Sequence, residues 1–244
     1  MKKQLGLIGS ILIGVMVATV GLSGQAQALS FSADNGTNLA ATVDFQLSGS
    51  ELTVVLTNTS TFDVGAPTGV LTAVFFSSNG TLTPLSASLA GSLVAFGPDG
   101  SGNVGGEWAY ASGLAGAPLG ATQGISSSGL NLFDGANFNG LNLQDPVALD
   151  GLQYGITSAG DNLAIGNAAV TGGFALIQNS VTFKLNVLNP IDFTLTSIDR
   201  DSVSFQYGTA LTEPNIRVPE PATVLLLGAG LAGLGIWKRK STKI

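Results

Sequence analysis

"ATVDFQLSGSELTVVLTN", residues 41–58, contains two runs in which apolar and polar side chains alternate. Alternation with a period of two predicts β-strands that each bury one face. The predicted buried faces comprise Val43, Phe45 and Leu47 in the first run and Leu52, Val54 and Leu56 in the second. Between the runs, Ser48-Gly49-Ser50 has the composition of a tight turn, so the stretch predicts a β-hairpin.

The same signals recur along the chain between residues 29 and 217. Strands are predicted at 69–77, 81–88, 106–111, 151–158, 179–188, 192–198 and 201–209. The first of these, "GVLTAVFFS", is almost continuously apolar, as expected for a central strand. Many short strands separated by Gly, Asn and Ser favour an all-β fold, namely a single jelly-roll-like β-sandwich over residues 29–217. The Gly-rich part, 91–173, predicts long loops.

Residues 1–28 have the three parts of a secretory signal peptide. Two lysines precede an apolar run over residues 5–22, and Ala26-Gln27-Ala28 follows. Small residues at Ala26 and Ala28 predict cleavage after Ala28. An uncleaved membrane anchor is the alternative, because the apolar run is close to the shortest length that spans a bilayer.

Residues 218–244 combine a Pro-Glu-Pro motif at 218–221, an apolar segment at 222–237 and a basic tail at 238–244. As a helix, the apolar segment would be roughly 24 Å long, against a hydrocarbon core of about 30 Å. Trp237 at the interface and a snorkelling lysine would extend it, so we expect a transmembrane helix. The residues expected to stop translocation are Lys238, Arg239 and Lys240.

This order of motif, apolar segment and basic end resembles the PEP-CTERM sorting signal of exosortase-processed proteins from bacteria with an outer membrane. The resemblance implies export, anchoring in the inner membrane and cleavage near the motif by a membrane transpeptidase. The protein would then reside at the cell surface or outside the cell. Pro219, Glu220 and Pro221 would be the recognised residues. A linker before a permanent anchor is the alternative interpretation.

Charge and composition exclude several classes of function. Between Leu29 and Pro221 three basic residues face fifteen acidic ones, which gives a formal charge of −12. Such a surface argues against binding to nucleic acid or anionic lipid, and is compatible with a neutral polysaccharide. The chain has no Cys and no His, which excludes disulfides, thiolate or imidazole metal sites and any nucleophile-plus-His mechanism. We expect no cofactor and no metal.

Trp108 and Tyr110 are the candidate residues for glycan contact, by stacking of sugar rings, although core packing is the favoured interpretation of both. Glu107 beside Trp108 is the one candidate acid for glycoside hydrolysis, because an apolar neighbour raises the pKa of a carboxyl. The segment 97–108 spaces oxygen-bearing side chains like a calcium loop but departs from the EF-hand pattern at Val104 and Tyr110, so a polar turn is favoured.

The sequence therefore predicts a non-enzymatic surface or extracellular-matrix protein with no catalytic residues. A carbohydrate-binding module of the exopolysaccharide or biofilm matrix is the first alternative. A glycan-active hydrolase is the second.

Overall fold

Two β-sheets make up the fold in the computed structural model, which describes residues 27–145, 149, 151–165, 170 and 173–220. Within that part of the chain the strands are β1 (Gln27–Asp34), β2 (Ala40–Ser48), β3 (Glu51–Asn58), β4 (Leu71–Ser77), β5 (Leu82–Ser88), β6 (Leu93–Ala95), β7 (Ala109–Ser112), β8 (Gln123–Ser126), β9 (Ile156–Thr157), β10 (Leu176–Gln178), β11 (Ser180–Val187), β12 (Asp199–Tyr207) and β13 (Asn215–Arg217). Short 3-10 turns lie at Pro67–Gly69, Gly100–Gly102, Gly105–Glu107, Pro118–Gly120, Leu163–Ile165 and Leu195–Ser197.

The first sheet has the strand order β1-β2-β3-β11-β5, and the second has the order β13-β12-β4-β9-β10-β6. Strand β8 also joins the second sheet, pairing with both β4 and β7. The predicted all-β, sandwich-like class is confirmed. Strands β1, β2 and β3 are consecutive neighbours in one sheet, which differs from the alternation between sheets that a jelly roll would give.

The hairpin of β2 and β3 forms as the alternation predicts. Val43 pairs with Leu56, and Ser48 pairs with Glu51 across a two-residue turn. All six apolar residues predicted to face inward are buried. Gly49 opens the turn with a φ of +60°, a conformation that fits the right-handed twist of a hairpin and that favours glycine.

Aromatic contacts join the two sheets across the main core. Phe45 of β2 packs edge-on against Phe76 of β4, with 5.2 Å between ring centroids. Phe31 of β1 contacts Phe45 from the other side at 6.2 Å. Edge-to-face pairs of this kind add to the stabilisation from buried apolar area, so β1, β2 and β4 are held together at one point.

Strand β4 is buried on both faces, which explains its continuous apolar run. Val74 and Phe76 point into the main core, whereas Ala73 and Phe75 belong to a second, smaller core. Phe133, from the Gly-rich part of the chain, packs on Phe75 with 6.1 Å between centroids. Part of the segment predicted to form long loops therefore covers the outer face of the second sheet.

Some strand predictions were wrong in detail. Residues 192–198 form a turn and a 3-10 segment, because the Asn189 carbonyl accepts hydrogen bonds from the N–H groups of Asp192 and Phe193. The segment still buries Phe193 and Leu195, and this produced the misleading alternation. Only Ile156–Thr157 of the predicted 151–158 strand is extended. The predicted 106–111 strand begins instead with a 3-10 turn.

Several predictions concern residues that lie outside the described ranges. These are the apolar part of the signal peptide with Ala26, and the C-terminal stretch from Pro221 through the apolar segment to Lys238, Arg239 and Lys240. In the part of the chain that is described, no helix is long and apolar enough to cross a membrane.

We expect Gly49→Ala to lower the free energy of unfolding by about 1 kcal/mol, because alanine is strained at positive φ. A Cβ at this position would meet no atom within 4 Å, so the effect is conformational. Ser50→Ala, in the same turn, is the control and should change stability by less than about 0.5 kcal/mol. Urea denaturation of the purified protein measures both. Equal effects of the two substitutions would contradict the assigned role of Gly49.

Candidate functional site

The predicted sorting motif begins directly after the last strand of the fold. Strand β13 pairs with β12, with Arg217 opposite Ser204. The Val218 N–H then donates to the Val203 carbonyl at 3.3 Å, and the Val218 side chain is buried. Pro219 and Glu220 follow as exposed residues. No linker therefore separates the folded body from the motif.

A groove of ≈ 690 Å³ runs beside the motif. Its walls are Leu119, Asp201, Arg217, Val218, Pro219 and Glu220. The motif thus forms part of the wall of a concave surface that also carries charged side chains of both signs. An enzyme that binds Glu220 would also meet this surface.

Arg200 contacts the motif from strand β12. Its Nη2 donates to the Pro219 carbonyl at 2.8 Å, and its guanidinium carbon lies 5.8 Å from the centroid of the Phe31 ring. Two carboxylates around one arginine, as in Asp199-Arg200-Asp201, are typical of a surface ion pair or a turn. The turn is present, because the Asp199 carboxylate accepts the Asp201 N–H at 3.1 Å. The contact with Pro219 was missed, since nothing in the local sequence links residues 19 positions apart.

At the other end, Ala28 lies within β1, opposite Gln46 of β2. The predicted cleavage after Ala28 would therefore remove the first two residues of the strand. The pairs from Leu29–Phe45 to Asp34–Ala40 would remain. The cleavage itself stays a prediction.

The two candidate glycan contacts, Trp108 and Tyr110, lie in the core. Trp108 is 0% exposed and packs edge-on against Phe183 with 5.0 Å between ring centroids. Burial raises the pKa of Tyr110 to about 12. The Asn137 side chain binds both backbone groups of Tyr110, at 2.9 and 2.7 Å. Both rings would have to leave the core before a sugar could stack on them.

Glu107 anchors a loop. Its Oε1 accepts the N–H of Leu143, and the residue as a whole is 1% exposed. Gly105 and Gly106 precede it, and a Cβ at either would collide with the backbone carbonyl of Asn139 or Leu141. These glycines allow the loop to approach closely enough for the hydrogen bond to Glu107. Burial raises the pKa of Glu107, against the opposing effect of the hydrogen bonds from Leu143 and Gln144.

The loop at 97–103 has the polar-turn geometry that the sequence favoured. The Asp99 carboxylate accepts the Ser101 N–H at 2.9 Å, and the Asn103 side chain accepts the Gly105 N–H at 2.9 Å. Of the three side chains spaced like calcium ligands, Asp99, Ser101 and Asn103, the first and the last thus accept hydrogen bonds in local turns.

The sequence reasoning missed Phe62, an aromatic side chain in the loop after β3 that is 56% exposed. It lines two adjoining clefts of ≈ 230 and ≈ 140 Å³. Polar residues of these clefts include Asp34, Asn38, Ser60, Asp63 and Thr68. The signal that was overlooked is an aromatic residue within "NTSTFDVG", a polar run with no strand periodicity.

Asp63 adds negative charge to this exposed surface. Its Oδ1 accepts the Asn162 N–H at 2.9 Å, and that bond is the main cause of the lowered pKa of Asp63. Since no Lys or Arg of the described ranges lines either cleft, the surface favours neutral ligands over anionic ones.

Comparison with known protein families finds one match in the chain, the PEP-CTERM protein-sorting motif over residues 217–240. The resemblance seen in the sequence is thereby confirmed. The match begins at Arg217, the last residue of β13. A motif of this kind implies export, membrane association and processing by an exosortase-type enzyme. No curated protein and no solved structure matches the chain.

We expect Glu107→Ala to lower the free energy of unfolding by about 1–3 kcal/mol, since the Leu143 N–H loses its acceptor. Glu107→Gln keeps an acceptor oxygen and removes the buried charge. It should therefore be at least as stable as the parent protein at neutral pH. Urea denaturation of the three proteins at pH 7 tests this. If Glu107→Gln loses as much stability as Glu107→Ala, the prediction is wrong and the loop needs an ionised carboxylate.

The same residue predicts a pH dependence. A raised pKa means that the folded state binds the proton more tightly than the unfolded state. The contribution of Glu107 to stability therefore falls as pH rises from the unfolded pKa through the folded pKa, and stays low above it. The stability difference between parent and Glu107→Gln should grow over that interval. A difference that is constant between pH 4 and 8 would contradict this.

Proposed function

We propose that this chain is an exported, non-enzymatic protein of the cell surface or extracellular matrix that an exosortase-type transpeptidase releases from its membrane tail. The observation that carries the proposal is the PEP-CTERM motif at residues 217–240. The fold supports it, because β13 ends at Arg217 and Val218 is the last buried side chain up to residue 220, where the described part of the chain ends. Removal of everything after the motif would leave every described strand in place.

In the proposed reaction, a peptide bond beside the motif breaks. The acyl carbon stays with the body and passes to water or to an acceptor amine, while the tail leaves with a protonated amino end. The body would reach the exterior without Trp237 and without the basic cluster Lys238, Arg239 and Lys240. The remaining surface would be strongly anionic, which suits a soluble component of a neutral polysaccharide matrix.

Intact-mass measurement and terminal sequencing of the protein from its native host test the proposal. We expect a chain that begins at Leu29 and ends near Pro219–Pro221, with or without an added group. A mature chain that retains Trp237 and Lys243 would mean a permanent anchor, and the sorting proposal would fail.

Glu220→Gln tests recognition of the motif. Glu220 is exposed and outside every strand, so the substitution should leave the fold intact. Loss of a recognised charge should slow tail removal by roughly tenfold or more. Asp192→Asn, a distant exposed carboxylate, is the matched control and should be processed at the parental rate. Equal processing of both variants would contradict a role for Glu220.

The Phe62 clefts favour carbohydrate binding as a second function. Sugar rings present apolar C–H faces that stack on aromatic side chains, while their hydroxyls require hydrogen-bonding partners. Phe62 offers an exposed ring, and Asn38, Ser60 and Thr68 surround it with amide and hydroxyl groups. The carboxylates Asp34 and Asp63 disfavour acidic sugars. The ligand that this surface fits is therefore a neutral exopolysaccharide. The surface around Phe62 is a better candidate for its binding than Trp108, which is buried.

On a glycan array we expect the protein to bind neutral glycans. Binding should be about tenfold weaker in Phe62→Ala, because one stacking contact is lost. Ile191→Ala removes another exposed apolar side chain and should bind like the parent. Loss of binding in both variants would indicate nonspecific adhesion. Analysis of the same glycans for cleavage tests the proposal that the protein is not an enzyme. Cleavage by the parent protein that disappears in Glu107→Gln would contradict that proposal.

A further inference from the structure

The folded body holds the start of the sorting motif by a continuous set of contacts. Residues 215–217 pair with β12. The N–H of Val218 then donates to Val203 at 3.3 Å, and the Pro219 carbonyl accepts from Arg200 at 2.8 Å. Five successive residues are thus attached to the body up to the first proline of the motif.

The Arg200 contact is built from two sides. The guanidinium group lies over the Phe31 ring of β1, with its carbon 5.8 Å from the ring centroid, and donates from Nη2 to Pro219. Phe31 is itself buried against Phe45. An arginine placed between a fixed ring and a carbonyl is pre-organised, so little side-chain freedom is lost when the hydrogen bond forms.

An enzyme that cuts the chain beside this motif needs free backbone on the body side of the bond. Substrate strands bind through their own N–H and C=O groups, and the body occupies the N–H of Val218 and the carbonyl of Pro219. The distance is also short, because three extended residues from Pro219 to the predicted helix start at Ala222 span only about 10 Å. The body would lie close to the membrane and cover one side of the motif.

We propose that Arg200 is a positioning residue that limits access of the processing enzyme to the sorting motif. The inference rests on the proposed processing by an exosortase-type enzyme. In the closed state, Arg200 and β12 hold residues 215–219 on the body. Processing proceeds from the state in which Val218 and Pro219 have detached, and its rate follows the population of that state.

The test is a pulse-chase measurement of tail removal from the full-length chain in a host that contains the processing enzyme. We expect Arg200→Ala to be processed about threefold to tenfold faster, as the loss of one charged hydrogen bond raises the detached population. Arg200→Lys keeps one donor and the charge, and should restore a rate near that of the parent. Lys184→Ala removes a cation on the first sheet, where it pairs with Glu51 at 2.8 Å, and should leave the rate unchanged.

A second variant keeps Arg200 and tests the same idea without touching the body. Insertion of Gly-Ser-Gly-Ser between Val218 and Pro219 moves the motif out of reach of Arg200. We expect this variant to be processed as fast as Arg200→Ala, and the combined variant to gain nothing further, because both changes remove one restraint. If thermal unfolding shows that Arg200→Ala does not fold, Arg200→Met, which keeps an unbranched apolar stem but has no donor, takes its place in the comparison.

Equal rates for the parent, Arg200→Ala and the insertion variant would overturn the proposal and would place processing before the body folds. A slower rate for Arg200→Ala would overturn it as well, since Arg200 would then be promoting recognition. If the insertion variant is processed faster while Arg200→Ala is processed at the parental rate, the restraint comes from the short distance between the body and the motif and not from Arg200. The proposed function is tested separately by the intact mass of the mature parent protein, in which retention of Trp237 and Lys243 would contradict that function whatever Arg200 does.

Discussion

The contact between Phe45 and Phe76 joins the two sheets, and most of the fold is arranged around it. A body without cysteine has no disulfide to stabilise it, so burial of apolar surface between the sheets must supply the main stabilisation. Strand β4 buries further apolar surface, because its second face packs under the Gly-rich segment. Glycines are needed there because Phe75 and Phe133 approach Gly124 too closely for a side chain.

The sequence predicted the fold where period-two alternation and burial coincide. The hairpin of β2 and β3 and the strands β5, β11 and β12 follow that pattern and form close to the predicted positions, as does β4, which was predicted from its continuous apolar run. Short strands such as β6 and β10 escaped prediction because three residues show no period. Phe193 and Leu195 misled the reasoning, since a turn that buries two residues two apart has the same pattern as a strand.

The candidate sites divide in the same way. The sorting motif is local and tripartite, so the sequence alone identified it. The contact of Arg200 with Pro219 depends on the pairing of β12 with β13, which no local pattern encodes. Trp108 was a candidate because aromatic rings stack on sugars, although core packing was favoured, and Glu107 was a candidate because an apolar neighbour raises the pKa of a carboxyl. In the fold, one fills the core and the other fixes a loop.

The burial of Trp108 has a chemical consequence for a protein that leaves the cell. Thiols and thioethers are side chains that oxidants attack readily. The body between residues 29 and 220 contains no Cys and no Met, because the two Met residues of the chain, Met1 and Met16, lie in the predicted signal peptide. Trp108, the one tryptophan of this body, is buried in the core. A body of this composition offers oxidants few accessible targets, so its lifetime in an aerobic environment should depend on proteolysis more than on oxidative damage.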